Sequence, residues 1–384
     1  MKLEAASRTL AVLVPLAIAN HVVLTGSRIT VALEALSLGA SPFTVGVLMA
    51  LYALLPMLCA VAVGRYTDRA GTRRPMQMGS AGLAIGSLLP FAIPGLPVLY
   101  ASASIVGMSF MAFQVATQNA TGELGGGTER ARNFSLLSLG YSISGFIGPL
   151  FTGFTIDHFG FRTSFAAMVL VPLLPVLVLS SGRLMLPRAN PAAGVVRQGG
   201  VRELLRHKTL RRVFMINALL AMSWDLHTVF VPIYGARIGL SASRIGIILA
   251  SFGAATFAIR LLMPVIVRHR NEHQVLTAAL FISGAVYLLF PFSQSMVTLA
   301  ALSFCLGLGL GGGQPVVMSL LHTHAPPGRM GEAAGVRMSL VQSMSVAVPL
   351  LFGAVGSTLG LAPVFWSVGM LLTGGGFLSR RADR

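Results

Sequence analysis

The chain has 384 residues, of which 54% are hydrophobic and only 10% charged, with a mean hydropathy of +0.79. A water-soluble domain carries about 25% charged residues, so this composition excludes a soluble globular protein and turns most of the surface toward lipid. The net charge of +17 would suit nucleic acid, but the basic residues sit in short segments between apolar runs, with no basic face to hold one.

A spanning helix needs about 20 mainly apolar residues. The first run, 8–36, is too long for a secretion signal and ends without a small-residue cleavage site, so it is read as the first spanning helix. Five more follow at 42–63, 75–93, 97–122, 133–156 and 163–181. The polar stretch 182–208 holds Pro187 and Pro191 and reads as a linker with a short interfacial helix. Six further runs occupy 210–234, 243–267, 274–292, 295–321, 333–358 and 363–378. The expected architecture is an all-α membrane protein of twelve spanning helices. A six-helix bundle at 1–181 and another at 209–384 flank the linker. Cys59 and Cys305 fall inside apolar runs and read as small core residues.

Lysine and arginine placement sets the expected orientation. With the N-terminus inside, 23 of the 28 fall on the cytoplasmic side; Arg162, Arg237 and Arg244 lie outside, and Arg28 and Arg260 lie within helices. The positive-inside rule then places both termini in the cytoplasm of a cell with a multi-pass inner membrane protein.

The second half repeats the first at a shift of 200 residues. Gly39, Gly46, Gly107, Pro149, Gly153 and Gly160 return as Gly239, Gly246, Gly307, Pro349, Gly353 and Gly360. An even number of helices per half makes the halves parallel repeats, an arrangement that permits alternating access to a midplane cavity.

The loop after the second run reads Gly64-Arg-Tyr-Thr-Asp68-Arg69-Ala-Gly71-Thr-Arg73-Arg74. It resembles the cytoplasmic loop signature of the major facilitator superfamily, matching at Gly64, Asp68, Arg69, Gly71 and Arg73 and departing at Tyr66 and Thr72. The two glycines are expected to form a tight turn. The resemblance implies that Asp68 pairs with an arginine and a helix N-terminus to latch the cytoplasmic side; the alternative is a solvated basic loop. The fifth run carries Ser144-Gly145-Phe-Ile-Gly148-Pro149-Leu-Phe-Thr152-Gly153. This looks like the fifth-helix motif of the superfamily's proton-coupled exporters, matching at Gly148, Pro149 and Gly153, with Ser144 and Thr152 in place of glycines. The alternative is ordinary small-residue packing. Ala103 stands where those exporters carry a fourth-helix arginine.

Ionisable groups inside a bilayer cost about 2.5–3.5 kcal/mol each on insertion scales and so point to a site. The resemblance implies that helices one, four, seven and ten line the cavity. Polar groups occur on all four: Asn20, His21 and Arg28; Gln114 and Gln118; Trp224, Asp225, His227 and Thr228; and Gln314. His21 and Arg28 are two turns apart and share a face. Asp225 is the first candidate for carrying a coupling proton, with Arg28 as its expected cation; a permanent Asp225–Arg28 structural pair is the alternative. His21 is the second candidate, against a hydrogen-bonded structural histidine. Arg260 is expected to brace a helix end. His322 and His324 form a His-x-His pair with no acid or cysteine to complete a metal site, and no nucleophile–base set suggests an enzyme. The resemblance implies a monomeric secondary transporter that exports small organic molecules by proton antiport, driven by the proton gradient without a cofactor. Uptake or facilitated diffusion of an organic anion held by Arg28 is an alternative, and a lipid flippase or scramblase is another.

Overall fold

The computed structural model describes residues 2–124, 126–186, 204, 206–325 and 330–380. Most of the expected linker, 187–203 and 205, lies outside the described residues, as does the side chain of His322. The regular elements described are all helical. They are α1 (Lys2–Ser37), α2 (Pro42–Ala70), α3 (Arg73–Ala92), α4 (Leu96–Glu123), α5 (Gly126–Leu170), α6 (Leu173–Ser180), α7 (Lys208–Arg237) and α8 (Ala242–His269). They continue with α9 (Glu272–Leu289), a 3-10 turn at Phe290–Phe292, α10 (Met296–Gly311), α11 (Gly313–His324), α12 (Met330–Thr358) and α13 (Leu361–Arg380).

Among the described residues, ten segments are long and apolar enough to cross a membrane. One of them, Arg132–Ser180, has 49 residues and reverses at Gly160, where φ is +79°. Its two arms are separate passages, and α3 with 20 residues is the remaining one, so the fold is a twelve-helix membrane bundle. Large apolar side chains stand on the outside, Leu58 at 67% and Phe292 at 74% exposure among them. Such a surface suits lipid, where the backbone groups are already satisfied within helices.

The repeat is written into backbone geometry. Gly39 and Gly239 both take positive φ, +82° and +79°. Each closes the same helix-ending motif: Ala40 N–H donates to Ala35 O and Gly39 N–H to Leu36 O, as Leu240 does to Gly235 and Gly239 to Ala236. Gly160 and Gly360 likewise share φ values of +79° and +86°.

Three expectations about elements change. Gly64 lies inside α2, with open space around it, so the tight turn belongs to Gly71 alone, at φ +76°. The sixth passage is not one helix over 163–181, because the chain turns at Val171 and Pro172 between α5 and α6; proline offers no N–H to continue a helix. The tenth is not continuous over 295–321. Three consecutive glycines, Gly311 to Gly313, weaken it, and Pro315 lacks the N–H that Gly311 O would accept four residues back. Arg260 Nε donates to Gly311 O instead, at 3.3 Å, so this arginine does brace a helix end.

Two compact units emerge from the contacts. Unit 1 is Met1–Ala40, Leu51–Val195 and Ser241–Gly246; unit 2 is Ser41–Ala50, Val196–Leu240 and Ile247–Arg384. Within unit 1, α1 packs along α5 and α3 along α4; within unit 2, α9 packs along α13 and α7 along α12. The first turn of α8 belongs to unit 1, where the Asp157 carboxylate accepts the N–H groups of Ala242 at 2.9 Å and Ser243 at 2.8 Å. This caps the helix and complements its dipole. The 200-residue counterparts are Ser357 and Pro42, a pair with neither the charge nor the first N–H.

Arg73, a residue of the loop signature, takes an unexpected position. Its guanidinium donates to the carbonyls of Leu179 at 2.7 Å and Gly182 at 3.2 Å, and also to Leu184. Leu179 is in the last turn of α6, whose carbonyls find no partner within the helix, and Gly182 and Leu184 lie just past its end, so Arg73 ties the start of α3 to the end of α6. Arg73→Ala is expected to cost about 1–3 kcal/mol of stability, read as a lower midpoint in thermal unfolding of the detergent-purified protein, while Arg74→Ala, whose side chain is exposed, leaves the midpoint near wild type.

Candidate functional site

In unit 1 the site begins with a seam between α1 and α5. Gly140, Ser144, Gly148 and Thr152 repeat every four residues and so share one face of α5. A Cβ at Gly140 would lie 2.9 Å from Val14 Cγ1, and one at Gly148 only 2.1 Å from Thr25 Oγ1. Thr152 Oγ1 sits 2.5 Å from where Gly26 would carry a Cβ. The helices therefore approach closely enough for the short Ser144 side chain to reach across. Its Oγ lies 2.5 Å from His21 Nδ1. The imidazole is walled by Tyr141 at a centroid distance of 4.9 Å and by Phe110 at 5.3 Å.

Immediately before His21 on α1, Asn20 is fully buried and its Nδ2 donates to Ser80 Oγ at 2.7 Å, tying α1 to α3. Arg28 is half-buried, with its guanidinium carbon 6.0 Å from the Tyr52 ring centroid, a distance at which a cation is drawn to an aromatic face. Tyr52 Oη shares a 2.8 Å hydrogen bond with Ser27 Oγ. Gln114 and Gln118, four residues apart on α4, are both half-buried.

Unit 2 holds the counterpart set on α7. Asp225 is buried, 5% exposed, and Ser345 on α12 donates to its Oδ2 at 2.7 Å. His227, two residues on, has quite different neighbours. Its Nε2 lies 3.0 Å from Ser303 Oγ on α10, and its ring stacks on Phe252 of α8 at 4.3 Å. Trp224 packs edge-on against the same Phe252 at 4.7 Å. Thr228 turns its hydroxyl to the carbonyls of Trp224 and Asp225 on its own helix. Gln314 is exposed near the start of α11.

The 200-residue shift relates the two sets residue by residue. Tyr52 corresponds to Phe252, and Ser27, bonded to Tyr52, corresponds to His227, stacked on Phe252. Gly107 and Gly307 make room for these aromatics: a Cβ would lie 2.3 Å from Tyr52 O in one and 2.5 Å from Phe252 O in the other. Ser303 corresponds to Ala103, so the fourth-helix position without a polar group in the first half has a hydroxyl on a buried histidine in the second. Ser144, Ser303 and Ser345 escaped the sequence reading as partners, since a serine in an apolar helix shows its role only beside the group it meets.

The loop-signature residues stand apart from this set. Asp68 and Arg69 are exposed at the end of α2, Gly71 is buried in the turn, and Arg73 serves α6. Pro149 lies in α5 one residue past Gly148, and Gly153 packs on the first turn of α8, where a Cβ would lie 2.5 Å from Ala242 O. Among the described residues, no group of three or more His, Cys, Asp or Glu is arranged to hold a metal ion.

Comparison with known proteins places this geometry in context. The model of the Major Facilitator Superfamily matches residues 5–349. A tetracycline resistance protein, class C, of Escherichia coli is 27% identical over 326 residues, covering 81% of this chain and 79% of the relative. A class G protein of Vibrio anguillarum is 25% identical over 345 residues, covering 85% and 84%. Among solved structures, a POT family transporter in complex with a thioalcohol conjugated peptide superposes with a TM-score of 0.81 at 15% identity, covering 97% of this chain and 95% of that one. At that identity the likeness is one of fold.

Proposed function

The chain belongs to the Major Facilitator Superfamily, and on that premise we propose that it exports a small organic molecule across the inner membrane in exchange for protons, by alternating access. The observation that carries this reading is Asp225, an acidic residue buried on α7, whose Oδ2 accepts a hydrogen bond from Ser345. A buried carboxyl group changes charge when it takes a proton, which is the property a coupling site needs, and an intramembrane acid marks a proton pathway more often than a packing site. The names of the sequence relatives, tetracycline resistance proteins, agree with the direction, because outward transport of a drug produces resistance. Both termini are then cytoplasmic, in keeping with the distribution of lysine and arginine.

The test uses everted vesicles holding the purified protein, with tetracycline as the probe. An acid lumen is expected to drive uptake, and collapse of the pH gradient by nigericin to stop it. Equal flux with and without the gradient overturns the coupling. A second reading, transport of an organic anion, rests on Arg28 over Tyr52; loss of carboxylate binding but not of neutral-compound binding in Arg28→Ala would favour it.

A further inference from the structure

In unit 1, Ala17 of α1, Phe113 of α4 and Leu137 of α5 belong to one buried apolar cluster. The 200-residue shift turns them into Asn217 of α7, Gly313 of α11 and Arg337 of α12. The core of the first half thus returns in the second without the Phe113 ring and with two polar side chains added. Asn217 is 5% exposed and Arg337 is half-buried within the α12 span Ala333–Thr358. Asn217 Nδ2 and Arg337 Nε are both shut off from solvent, and neither has a hydrogen-bond partner among the described residues. Buried donors are nearly always satisfied in native proteins, so two at one place call for an acceptor. Contacts between α7 and α12 set their level. Asp225 meets Ser345, and further along Phe230 meets Phe352 at 6.4 Å, so the helices run parallel. Asn217 and Arg337 stand eight residues before Asp225 and Ser345 respectively, on the stripe that i and i+8 share. The pair therefore shares one level, about 12 Å nearer the start of both helices.

We propose that Asn217 and Arg337 bind an oxyanion of the transported molecule, a carboxylate or an enolate, in the half of unit 2 nearer the cytoplasm. The two nitrogens can only donate, so the ligand must supply the acceptors, and the guanidinium charge selects an anion. The planar fork of arginine suits a pair of oxygens, and the asparagine amide adds a donor without a second buried charge. The distance from this level to Asp225 is the length of a polycyclic organic molecule. The substrate class is therefore a multi-ring compound with an acidic end. That the ligand is cargo rests on the reading under Proposed function; that the pair holds an oxyanion does not. The repeat supplies the comparison, because the same two positions in the first half, Ala17 and Leu137, pack as ordinary core. An ionisable group placed where its counterpart is apolar marks function at the expense of packing.

The test is the double variant Asn217→Ala, Arg337→Leu, which restores the residue types of the first half, studied in the full chain in phosphatidylcholine nanodiscs. Replacing buried polar groups by apolar ones of the same site is expected to leave the thermal midpoint at or above that of the wild type. Tetracycline, which carries an ionised enolate, should bind about ten- to hundredfold more weakly, the scale of hydrogen bonds to a charged group. Ethidium, a polycyclic cation with no oxyanion, should bind both proteins alike. Arg337→Lys, which keeps the charge and loses the fork, should fall between the wild type and the double variant for tetracycline. A midpoint well below wild type in the double variant makes the pair structural and overturns the proposal. So do unchanged tetracycline binding, loss of ethidium in step with tetracycline, and a wild type that binds no tetracycline. Phosphatidylglycerol that raises the midpoint of the wild type alone and displaces no tetracycline assigns the pair to a lipid headgroup phosphate, which also overturns it. Binding is measured without a gradient. A wild type that binds as expected yet shows no gradient-driven uptake sinks proton exchange and leaves the oxyanion site standing.

Discussion

The Asp225→Asn protein is expected to exchange substrate across the membrane yet lose its response to a pH gradient. Asparagine keeps the size of the side chain and retains an oxygen to accept the 2.7 Å bond from Ser345; what it loses is the capacity to bind a proton. A positioned proton-transfer group contributes roughly 10²–10⁴-fold where it acts, and gradient-driven uptake of tetracycline should fall on that scale. Counterflow, which exchanges labelled for unlabelled substrate with no gradient, should stay within about threefold of wild type, because uniform binding terms are untouched. Asp225→Glu should restore part of the gradient response. A structural Asp225 gives a different pattern, since removing a buried charge from its network destabilises the whole protein: thermal midpoint, counterflow and driven uptake then decline together. Driven uptake that survives Asp225→Asn with counterflow intact removes Asp225 from the coupling path.

The fold was legible because the signals that encode it are local or periodic. Run length gave the passages, and glycines that recur at 200 carried the halves, since Gly39 and Gly239 must each take a positive φ to end a helix. Breaks within a passage were harder. Gly311 to Gly313 followed by Pro315 reads as apolar by composition, and only the orphaned Gly311 carbonyl with Arg260 beside it exposes the interruption. The site was legible as a list of polar residues and illegible as a network. Asn20 and His21 are adjacent in sequence, yet one turns to Ser80 on α3 and the other to Ser144 on α5. Asp225 and His227 diverge in the same way, toward α12 and α10. Adjacent residues on a helix point about 100° apart, so which neighbour each meets depends on packing that no single run of sequence contains. Arg73 misled for a related reason. Its motif suggests a loop charge, whereas its partners are carbonyls more than 100 residues away.

Gly246→Val should disable the protein more completely than loss of any charge. A Cβ at Gly246 would lie 2.4 Å from Pro149 O and 3.4 Å from Gly153 Cα. Both are backbone atoms of α5, so no side chain can swing aside and the helices themselves must separate. The repeat duplicates the crossing: a Cβ at Gly46 would lie 2.2 Å from Pro349 O and 3.5 Å from Gly353 Cα. The first turns of α8 and α2 that carry these glycines group with units 1 and 2 respectively, each with its proline. Overpacking a filled interior costs about 1–3 kcal/mol when side chains can adjust, and a rigid backbone contact belongs at or above the top of that range. Substitution at either glycine should therefore lower the thermal midpoint sharply and abolish both driven uptake and counterflow. Gly64→Ala sets the contrast. Gly64 stands in the loop signature, but its place in α2 has open space within 4 Å, and alanine improves an interior helical position by about 0.5–1 kcal/mol. Its midpoint should match or exceed that of the wild type. Equal tolerance at positions 46, 246 and 64 would show that the glycine–proline crossings do not set how closely these helices pack.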